Sequence, residues 1–456
     1  MECFSIMSDK IEGRLDSFYY RPEFYELIKQ LDNLKWNIVK LSDIFEINRG
    51  GSPRPIHKYF TNDENGINWI KIGDTKGVDK YIYKTKQKIK TEGIKFSREV
   101  KEGDFILSNS MSSGRPYIMK TKGCIHDGWL LLKEKDKNLN KDFLYYLLST
   151  NFIFRFFKRA TLGGVVENLN INLVKEIRVP IPPLEIQKKI VHLMDKSYYF
   201  KKQKETEAQK LLDSINSCVL YGLGIKLPEL KNKMTYTVYA DEVKGNRINA
   251  YYYQPKFEEV EKAINNGKYE VKELKESFEN KLIKGLLPKN EDKNGELKVL
   301  QIKNILKNGL IDTSKYITSK NIFKEEHKLN LEDISIVITG ATIGKIGLWN
   351  KKEDFYLGGD IVKFKVNKKF NPYFIQSYLL SQLGQYQIIK KITGATNGHL
   401  SPSDIEKIKI PLPPLPIQNK IAEEVKRRMQ KAEQLQKEAK EVLENAKQEV
   451  EKIILN

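Results

Sequence analysis

The sequence predicts an α+β protein built as a tandem duplication, in which each of two mixed α/β domains is followed by one long helix. Three observations support this prediction. Two separate sequence blocks recur at almost the same spacing, a proline-rich step precedes each of two long helical patterns, and strand-like and helix-like runs alternate between the blocks. With 456 residues and a hydrophobic content of 40%, the chain can bury sizeable cores.

The duplication is visible in two pairs of matching blocks. Arg14–Phe24 matches Arg247–Phe257 with five identities in eleven positions, at an offset of 233 residues. Val179–Ile190 matches Ile410–Ile421 at an offset of 231 residues. Because both offsets are close to half the chain length, the sequence indicates one unit of about 230 residues used twice.

The segments between these blocks contain both strand and helix patterns. Asp104–Ser108 and Asp333–Thr339 predict buried strands, and Gly, Asn and Asp turns separate such runs. Lys141–Lys158 and Asn371–Ile389 each predict one helix, the second with Asn371 as its N-cap and proline in its first turn. Each mixed segment is therefore predicted to be an α+β domain.

The proline-rich steps predict domain boundaries. Proline cannot continue a helix or pair centrally in a sheet, so these residues end the mixed domain and set the direction of the next helix. The prolines are Pro180, Pro182, Pro183, Pro411, Pro413 and Pro414. The predicted segments are an N-terminal Tyr-rich segment at 1–35, mixed domains at 36–183 and 268–414, long helices at 184–224 and 415–456, and a linker at 225–267 that repeats the N-terminal segment.

Both long helices carry an apolar seam at alternating spacings of four and three residues, which is typical of a coiled coil. Two equivalent seams favour pairing between the helices over packing of each helix on its own domain. We expect the first helix to end near Gly222 and Gly224, as glycine C-caps would dictate, and the second seam to pass through Glu449. The predicted pairing residues are Ile190, Met194, Ala208, Leu211, Ile215, Ile421, Val425, Ala432, Leu435, Ala439, Val442, Ala446 and Ile453.

The positive charge is concentrated in the mixed domains. The formal net charge is +20, and residues 36–180 hold 26 Lys+Arg against 16 Asp+Glu, while residues 268–410 hold 25 against 17. The long helices are nearly neutral. This distribution predicts two basic domains that contact separate parts of one nucleic-acid duplex, with an acidic membrane surface as the weaker alternative.

The sequence lacks the usual motifs of catalysis and metal binding. Cys3, Cys124 and Cys218 are far apart and predict neither a disulfide framework nor a zinc site. The five histidines have no partners at ligand or triad spacing, and Gly340–Ile346 has too few residues between its glycines for a phosphate loop. We therefore expect no cofactor, no metal and no catalysis in this chain, which disfavours a fused nuclease or methyltransferase.

With no signal peptide and no run of 18 apolar residues, we expect a soluble cytoplasmic protein.

Several of these motifs together resemble the specificity subunit of type I restriction–modification systems. The most specific are the Pro-x-Pro-Pro-Leu-x-x-Gln steps at Pro180–Gln187 and Pro411–Gln418, followed by the repeated Tyr-rich block. Asn48–Pro53, together with Ile67–Asp74, is similar to the start of a target-recognition domain in that family. The second copy departs from the pattern at Lys281–Pro288, so its DNA-reading surface is expected to differ.

The resemblance implies a fold and a function. The fold is two α/β target-recognition domains separated by two long helices that form an antiparallel coiled coil with a pseudo-two-fold axis. The chain would read a bipartite double-stranded DNA target with an unspecified gap and recruit two methyltransferase subunits and restriction/translocase subunits. S-adenosylmethionine, ATP and Mg²⁺ would be used by those partners, in the cytoplasm of a prokaryote and for defence against phage. Alternatives are a specificity or adaptor subunit of a related phage-defence methyltransferase system, and a stand-alone DNA-binding protein.

Candidate DNA-contacting residues are polar and basic side chains on turns that flank strands, because Arg and Lys can donate to guanine and Asn and Gln can pair with adenine. For any one of them, a solvated surface side chain is the alternative. In the first domain the candidates are Arg49, Ser52, Arg54, Lys71, Asn109, Ser112 and Arg115. In the second domain they are Lys284, Lys303, Asn304, Thr342, Lys345, Asn397 and His399.

Overall fold

The computed structural model describes residues 17–110, 113–135, 139–162, 168–244, 247–287, 295–320, 323–394 and 397–456. The chain divides into two compact units. The first comprises the described residues of Met1–Lys202 together with Ala439–Asn456, and the second comprises those of Gln203–Glu438. The C-terminal eighteen residues therefore belong to the same unit as the N-terminal domain.

Helices of two size classes are present. In chain order they are α1 (Pro22–Asp32), α2 (Leu41–Ile44), α3 (Lys141–Leu148), α4 (Asn151–Arg159), α5 (Ile171–Glu176), α6 (Leu184–Leu223), α7 (Ala240–Val243), α8 (Pro255–Asn265), α9 (Pro372–Leu380), α10 (Gln382–Lys391), α11 (Pro402–Glu406) and α12 (Leu415–Leu455). The long helices α6 and α12 have 40 and 41 residues. Each directly follows a proline-rich step, as the sequence predicts.

The strands of the first unit form two five-stranded sheets and two short pairs. They are β1 (Asn37–Lys40), β2 (Phe45–Arg49), β3 (Phe60–Thr61), β4 (Ile67–Ile70), β5 (Tyr81–Ile82), β6 (Gln87–Ile89), β7 (Arg98–Val100), β8 (Phe105–Ser108), β9 (Pro116–Met119), β10 (Gly123–Ile125), β11 (Trp129–Glu134), β12 (Thr161–Leu162), β13 (Asn168–Leu169) and β14 (Arg178–Ile181). One sheet has the order β2-β11-β8-β9-β5 and the other β3-β6-β4-β10-β7. The pairs are β1-β14 and β12-β13.

Among the described residues, the strands of the second unit follow the same plan with fewer members. They are β15 (Val271–Glu273), β16 (Ile283–Lys284), β17 (Leu297–Leu300), β18 (Ile317–Ser319), β19 (Ile334–Val337), β20 (Ile346–Leu348), β21 (Tyr356–Leu357), β22 (Ile361–Phe364) and β23 (Lys409–Pro411). The sheets have the orders β16-β22-β19-β20 and β18-β17-β21, and β15 pairs with β23. The predicted α+β duplication is confirmed.

Each predicted domain helix is in fact two helices. The first breaks between α3 and α4, where the Thr150 side chain accepts a hydrogen bond from the Ile153 N–H and so starts a new helix. The second breaks between α9 and α10 at Ser381. Asn371 caps α9 as predicted, since its side chain accepts from the backbone of Tyr373 and Phe374.

The glutamine of each proline-rich step links a long helix to its domain. The Gln187 side chain is buried, donates to the Pro182 carbonyl at 2.9 Å and accepts from the Asn140 N–H at 3.2 Å. Gln418 makes the same two contacts, with the Pro413 carbonyl at 2.9 Å and the Asn371 N–H at 3.0 Å. The motif therefore ties the start of α6 to the start of α3, and the start of α12 to the start of α9.

The two long helices contact each other within each unit. In the second unit Lys204 pairs with Glu438, and Arg428 donates to the Ser214 carbonyl at 2.9 Å, so the helices run in opposite directions there. In the first unit the seam residues Ile190 and Met194 belong to one apolar cluster with the C-terminal part of α12.

Most of the predicted seam residues are buried. Ile190, Met194, Ala208, Ile215, Ile421, Val425, Ala432, Leu435, Ala439 and Ala446 are buried, while Leu211, Val442 and Ile453 are partly exposed. Near the C-terminus the buried positions are Val450 and Ile454, so the predicted seam through Glu449 and Ile453 is shifted by one residue. A helix of 3.6 residues per turn drifts away from a strict seven-residue repeat, which explains this shift.

The first long helix ends at Leu223, near Gly222 and Gly224 as predicted, although Gly222 itself lies inside α6. A Cβ atom at this position would lie 2.5 Å from Cγ1 of Ile421, so glycine permits the close approach of α12. Gly224, with φ of +65°, is the residue that ends the helix.

Candidate nucleic-acid interface

Three segments meet at one end of the first domain. They are residues 49–54 after β2, residue 109 after β8, and the turn 126–128 that carries the chain from one five-stranded sheet to the other. The Gly50 N–H donates to the Trp129 carbonyl at 2.9 Å, and the Asn109 N–H donates to the Gly128 carbonyl at 2.8 Å. A Cβ atom on Gly50 would lie 2.1 Å from the His126 carbonyl oxygen, so only glycine fits there.

Asp127 is the centre of this junction. Its Oδ1 accepts from the Ser52 hydroxyl at 2.8 Å, and its Oδ2 lies 3.5 Å from a guanidinium nitrogen of Arg54. Its backbone carbonyl accepts from Nε of Arg49 at 3.2 Å. We call Arg49, Ser52, Arg54 and Asp127 the Asp127 cluster. The structure thus brings together three of the predicted residues around a carboxylate that the sequence did not single out.

The charged carboxylate of Asp127 lies beside the neutral imidazole of His126. Burial alone would raise the pKa of Asp127, but the hydrogen bond from the Ser52 hydroxyl and the charge of Arg54 favour the carboxylate, and this pKa lies below its ordinary value. Burial lowers the pKa of His126 below its ordinary value. Nδ1 of His126 accepts from the Gly128 N–H at 2.8 Å, so the neutral ring carries its proton on Nε2.

The remaining candidates of the first domain lie apart from this arrangement or beneath it. Asn109 is fully buried and its amide donates to the Asp127 carbonyl at 3.3 Å, which contradicts its prediction as a base contact, because the side chain supports the turn from below. Lys71 is half-buried and lowers the pKa of His126 by its charge. Arg115 is exposed and lines a different groove with Tyr145 and Lys447. Ser112 lies outside the described residues.

Two exposed residues beside the cluster were missed by sequence reasoning. Nε of Arg98 donates to the Arg49 carbonyl at 3.4 Å, and the Phe96 side chain is 47% exposed next to Gly51. No sequence signal distinguishes Arg98 among so many cations. A sequence signal for Asp127 did exist, because Asp127-Gly128 is a turn dipeptide that follows a strand.

The second domain repeats the backbone of this junction with different side chains. The Gly285 N–H donates to the Ile361 carbonyl at 2.8 Å, and a Cβ on Gly285 would lie 1.9 Å from the Gly358 oxygen. These contacts correspond to those of Gly50, so Gly359 stands where Asp127 does and Leu287 stands where Ser52 does. A Cβ on Gly359 would lie 2.3 Å from Leu287, whose side chain is 69% exposed. An apolar contact therefore replaces the hydroxyl–carboxylate hydrogen bond.

Other candidates of the second domain lie on two loops that contact each other. His399 forms backbone bridges with Thr339 and with Thr393, and its Nδ1 lies 3.3 Å from the Thr339 hydroxyl. The Gly340 N–H donates to the Gly398 carbonyl at 3.2 Å, which joins the loop bearing Thr342 to the loop bearing Asn397. Asn397 is exposed and His399 is half-buried.

The lysines and the remaining asparagine of the second domain differ in accessibility. Lys284 and Lys303 are exposed, and Lys345 is half-buried with its pKa lowered by burial and by the charge of Lys307. Asn304 is buried, and its amide donates to the carbonyls of Asp312 and Lys315 while its oxygen accepts from the Gln301 N–H. Its hydrogen bonds hold a turn, which contradicts its prediction as a base contact.

The described part of the chain shows neither a metal-binding group of side chains nor a membrane-spanning helix. Within it, no three His, Cys, Asp or Glu side chains are grouped so as to hold a metal ion. Among the same residues, no helix combines the length and the apolar character that crossing a bilayer requires.

The duplicated fold, with two differently equipped junctions on one framework, is that of a family of DNA-specificity domains. The sequence profile described as "Type I restriction modification DNA specificity domain" matches residues 33–212 and again residues 266–445. The chain belongs to this family. It is accordingly a specificity component of the type I restriction–modification class, with two recognition domains in tandem.

Two curated relatives match most of the chain, and a third matches about a third of it. The type I restriction enzyme MjaIX specificity subunit of Methanocaldococcus jannaschii is 24% identical over 425 residues, which cover 88% of this chain and 89% of the relative. The putative type I restriction enzyme MjaX specificity subunit of the same organism is 26% identical over 455 residues, covering 92% of each chain. The EcoKI specificity subunit of Escherichia coli K12 is 29% identical over 153 residues, which cover 32% of this chain and 33% of the relative.

Comparison with solved structures gives matches with low TM-scores. The S subunit of a type I system from M. genitalium matches with a TM-score of 0.45 and 13% identity, over 93% of this chain and 97% of that one. A chain from a study of complex assembly and conformational transition of the type I R-M system matches with a TM-score of 0.49 and 15% identity, over 92% and 96%.

Proposed function

We propose that this chain is the non-catalytic subunit that gives a type I restriction–modification complex its sequence specificity. Each recognition domain reads one half of a bipartite duplex target, and the unspecified gap between the halves is set by the long helices. The chain recruits two methyltransferase subunits and the restriction/translocase subunits. S-adenosylmethionine, ATP and Mg²⁺ are used by those partners, in the cytoplasm of a prokaryotic cell.

The observation that carries this proposal is the contrast between the two junctions. The backbone hydrogen bonds at Gly50 and Gly285 are equivalent, yet the residues at the equivalent positions are Arg49 and Asp127 in one domain and Lys284 and Gly359 in the other. Two different half-sites can be read by the same backbone framework only if it carries different side chains in the two domains. The side chains identify the bases, and the framework positions the side chains.

The charge distribution supports contact of both domains with DNA. The excess of Lys+Arg lies in the two mixed domains, and among the described candidates Arg49, Arg54, Arg115, Lys284 and Lys303 are exposed. Phosphate contacts by such side chains supply affinity without sequence preference, and they make binding fall steeply with salt.

The long helices supply the span that a gapped target needs. A helix of 40 residues is about 60 Å long at 1.5 Å per residue, a length comparable to roughly 18 base pairs of B-DNA at 3.4 Å each. The buried glutamines Gln187 and Gln418 attach each long helix firmly to its domain, so that helix length can determine half-site spacing.

Methylation mapping of the host genome, compared with a strain from which this gene is deleted, tests the proposal. We expect a bipartite adenine-methylated motif that disappears on deletion and returns when the gene is restored. An unchanged methylome together with no DNA selected by the purified chain would contradict it.

Purification with neighbouring gene products separates the alternatives, since a type I subunit brings down a methyltransferase and a stand-alone DNA-binding protein does not. Cleavage of DNA by the bare chain with Mg²⁺ would overturn the non-catalytic assignment.

A further inference from the structure

Arginine side chains are collected at the turn 126–128 of the first domain. Arg49 and Arg54 both contact Asp127, and Arg98 is attached to the Arg49 carbonyl. All three are exposed, and the Arg54 side chain retains 83% of its accessible surface. Each guanidinium is thus held at one side while its other N–H groups face outward.

The Asp127 carboxylate pairs with Arg54, while the Asp127 backbone carbonyl accepts from Arg49, so one negative charge lies among several positive ones. Asp127 is the single anion of its cluster, and His126 beside it is neutral because Nδ1 already accepts from the Gly128 N–H. The three arginines and one carboxylate leave a net positive surface. Nε of Arg49 is engaged by a carbonyl, which leaves its terminal nitrogens free for a planar acceptor pair.

The support beneath the arginines is rigid. The Ser52 hydroxyl fixes Oδ1 of Asp127, the buried Asn109 amide holds the Asp127 carbonyl, and the Gly51 N–H donates to the Ile125 carbonyl at 3.2 Å. Side chains held in this way by a second layer of hydrogen bonds lose little freedom when they bind, which favours selectivity over mere attraction.

We infer that the Asp127 cluster reads guanine in the major groove of the first half-site, through Arg49 and Arg54, with Asp127 as the positioning residue. The inference rests on the function proposed above. A guanidinium fork matches O6 and N7 of guanine, whereas adenine is matched by the amide of Asn or Gln, and the amide that contacts Asp127, that of Asn109, is buried. The second domain has Gly359 and Leu287 at the equivalent positions, so this guanine-reading element belongs to the first half-site alone.

Selection from a randomised duplex library tests the inference. The full-length chain, with any subunits that co-purify, is used to capture duplexes that are then sequenced. For the wild type we expect guanine at one or more positions of one half-site. The variants R49A and R54A should each lose preference for a guanine about tenfold, while the other half-site stays unchanged. D127N should lower the preference at the position that R54A affects, because asparagine keeps the backbone carbonyl that holds Arg49 but lacks the charge that pairs with Arg54. K58A, which removes an exposed cation of the same segment, serves as the matched control.

The second half-site reports on folding within every sample, since it remains selected only if the chain is intact. If R49A and R54A weaken all sequences equally, the arginines contact phosphates and the inference is overturned. If D127N keeps the full guanine preference that the arginine variants lose, the positioning role of Asp127 is refuted. Selection of no sequence at all by the wild type would instead count against the proposed function itself.

Discussion

Replacing Gln187 with methionine isolates the hydrogen bonds that join α6 to the first domain. Methionine has a similar length and fills the buried site, but it can neither donate to the Pro182 carbonyl nor accept from the Asn140 N–H. A buried backbone group left without a partner costs about 1–3 kcal/mol, and the second of these groups is only partly buried. We therefore expect a loss of about 2 kcal/mol in the free energy of unfolding of the first unit.

Calorimetry of the full chain measures this effect. For a unit of about 220 residues, 2 kcal/mol corresponds to a fall of about 4–8 °C in the unfolding midpoint. Q418M should have the same effect on the second unit, while Q30A, at an exposed helix position of the first unit, should stay within about 1 °C of the wild type. A midpoint for Q187M equal to that of Q30A would refute the reasoning, because the buried glutamine would then contribute no more than a surface one.

Three further predictions concern spacing, loop closure and pH. A matched heptad inserted in α6 and in α12 adds about 10 Å, so the unspecified gap of the methylated motif should lengthen by up to about three base pairs, and an unchanged gap would exclude the helices as its determinant. G50A should lower both the midpoint of the first unit and its DNA selection, because the new Cβ would meet the His126 carbonyl, whereas G73A, with open space around it, should do neither. Since the folded-state pKa of His126 is depressed below its ordinary value of 6.5, the stability linked to the neutral ring is present above that pH and lost as pH falls below it. Between pH 7 and pH 5, the free energy of unfolding measured with urea should therefore fall less for H126N than for the wild type. An equal fall in both proteins would contradict the assignment.

The architecture could be predicted from the sequence because its signals are local or repetitive. Duplicated blocks, prolines that stop a strand, and apolar residues at helical spacing act over a few residues each. The same locality explains the errors. The buried positions near Glu449 differ from the predicted seam because a real helix does not keep a strict seven-residue repeat. At Gly222, glycine is required by the close contact with Ile421, about two hundred residues away in the sequence.

The candidate site was only partly predictable for the opposite reason. Arg49, Ser52 and Arg54 could be chosen by type and turn position, but their convergence on Asp127 depends on a contact between segments 75 residues apart. Residue type alone misled at Asn109 and Asn304, because an asparagine on a turn can equally well hydrogen-bond buried backbone as reach a base.

The first unit contains both the N-terminal domain and the C-terminal end of α12, and this arrangement has a consequence for protein synthesis. Val450 and Ile454 lie in the same apolar cluster as Phe24 and Leu27, and Trp36 donates to the Ile454 carbonyl at 2.7 Å. On the ribosome, the N-terminal domain emerges early, yet the last part of its core is translated only after the whole second unit. At about 5–20 residues per second that wait is on the order of 10–50 s. During it the nascent first half exposes an apolar surface that a chaperone, or a neighbouring chain on the same message, is free to cover.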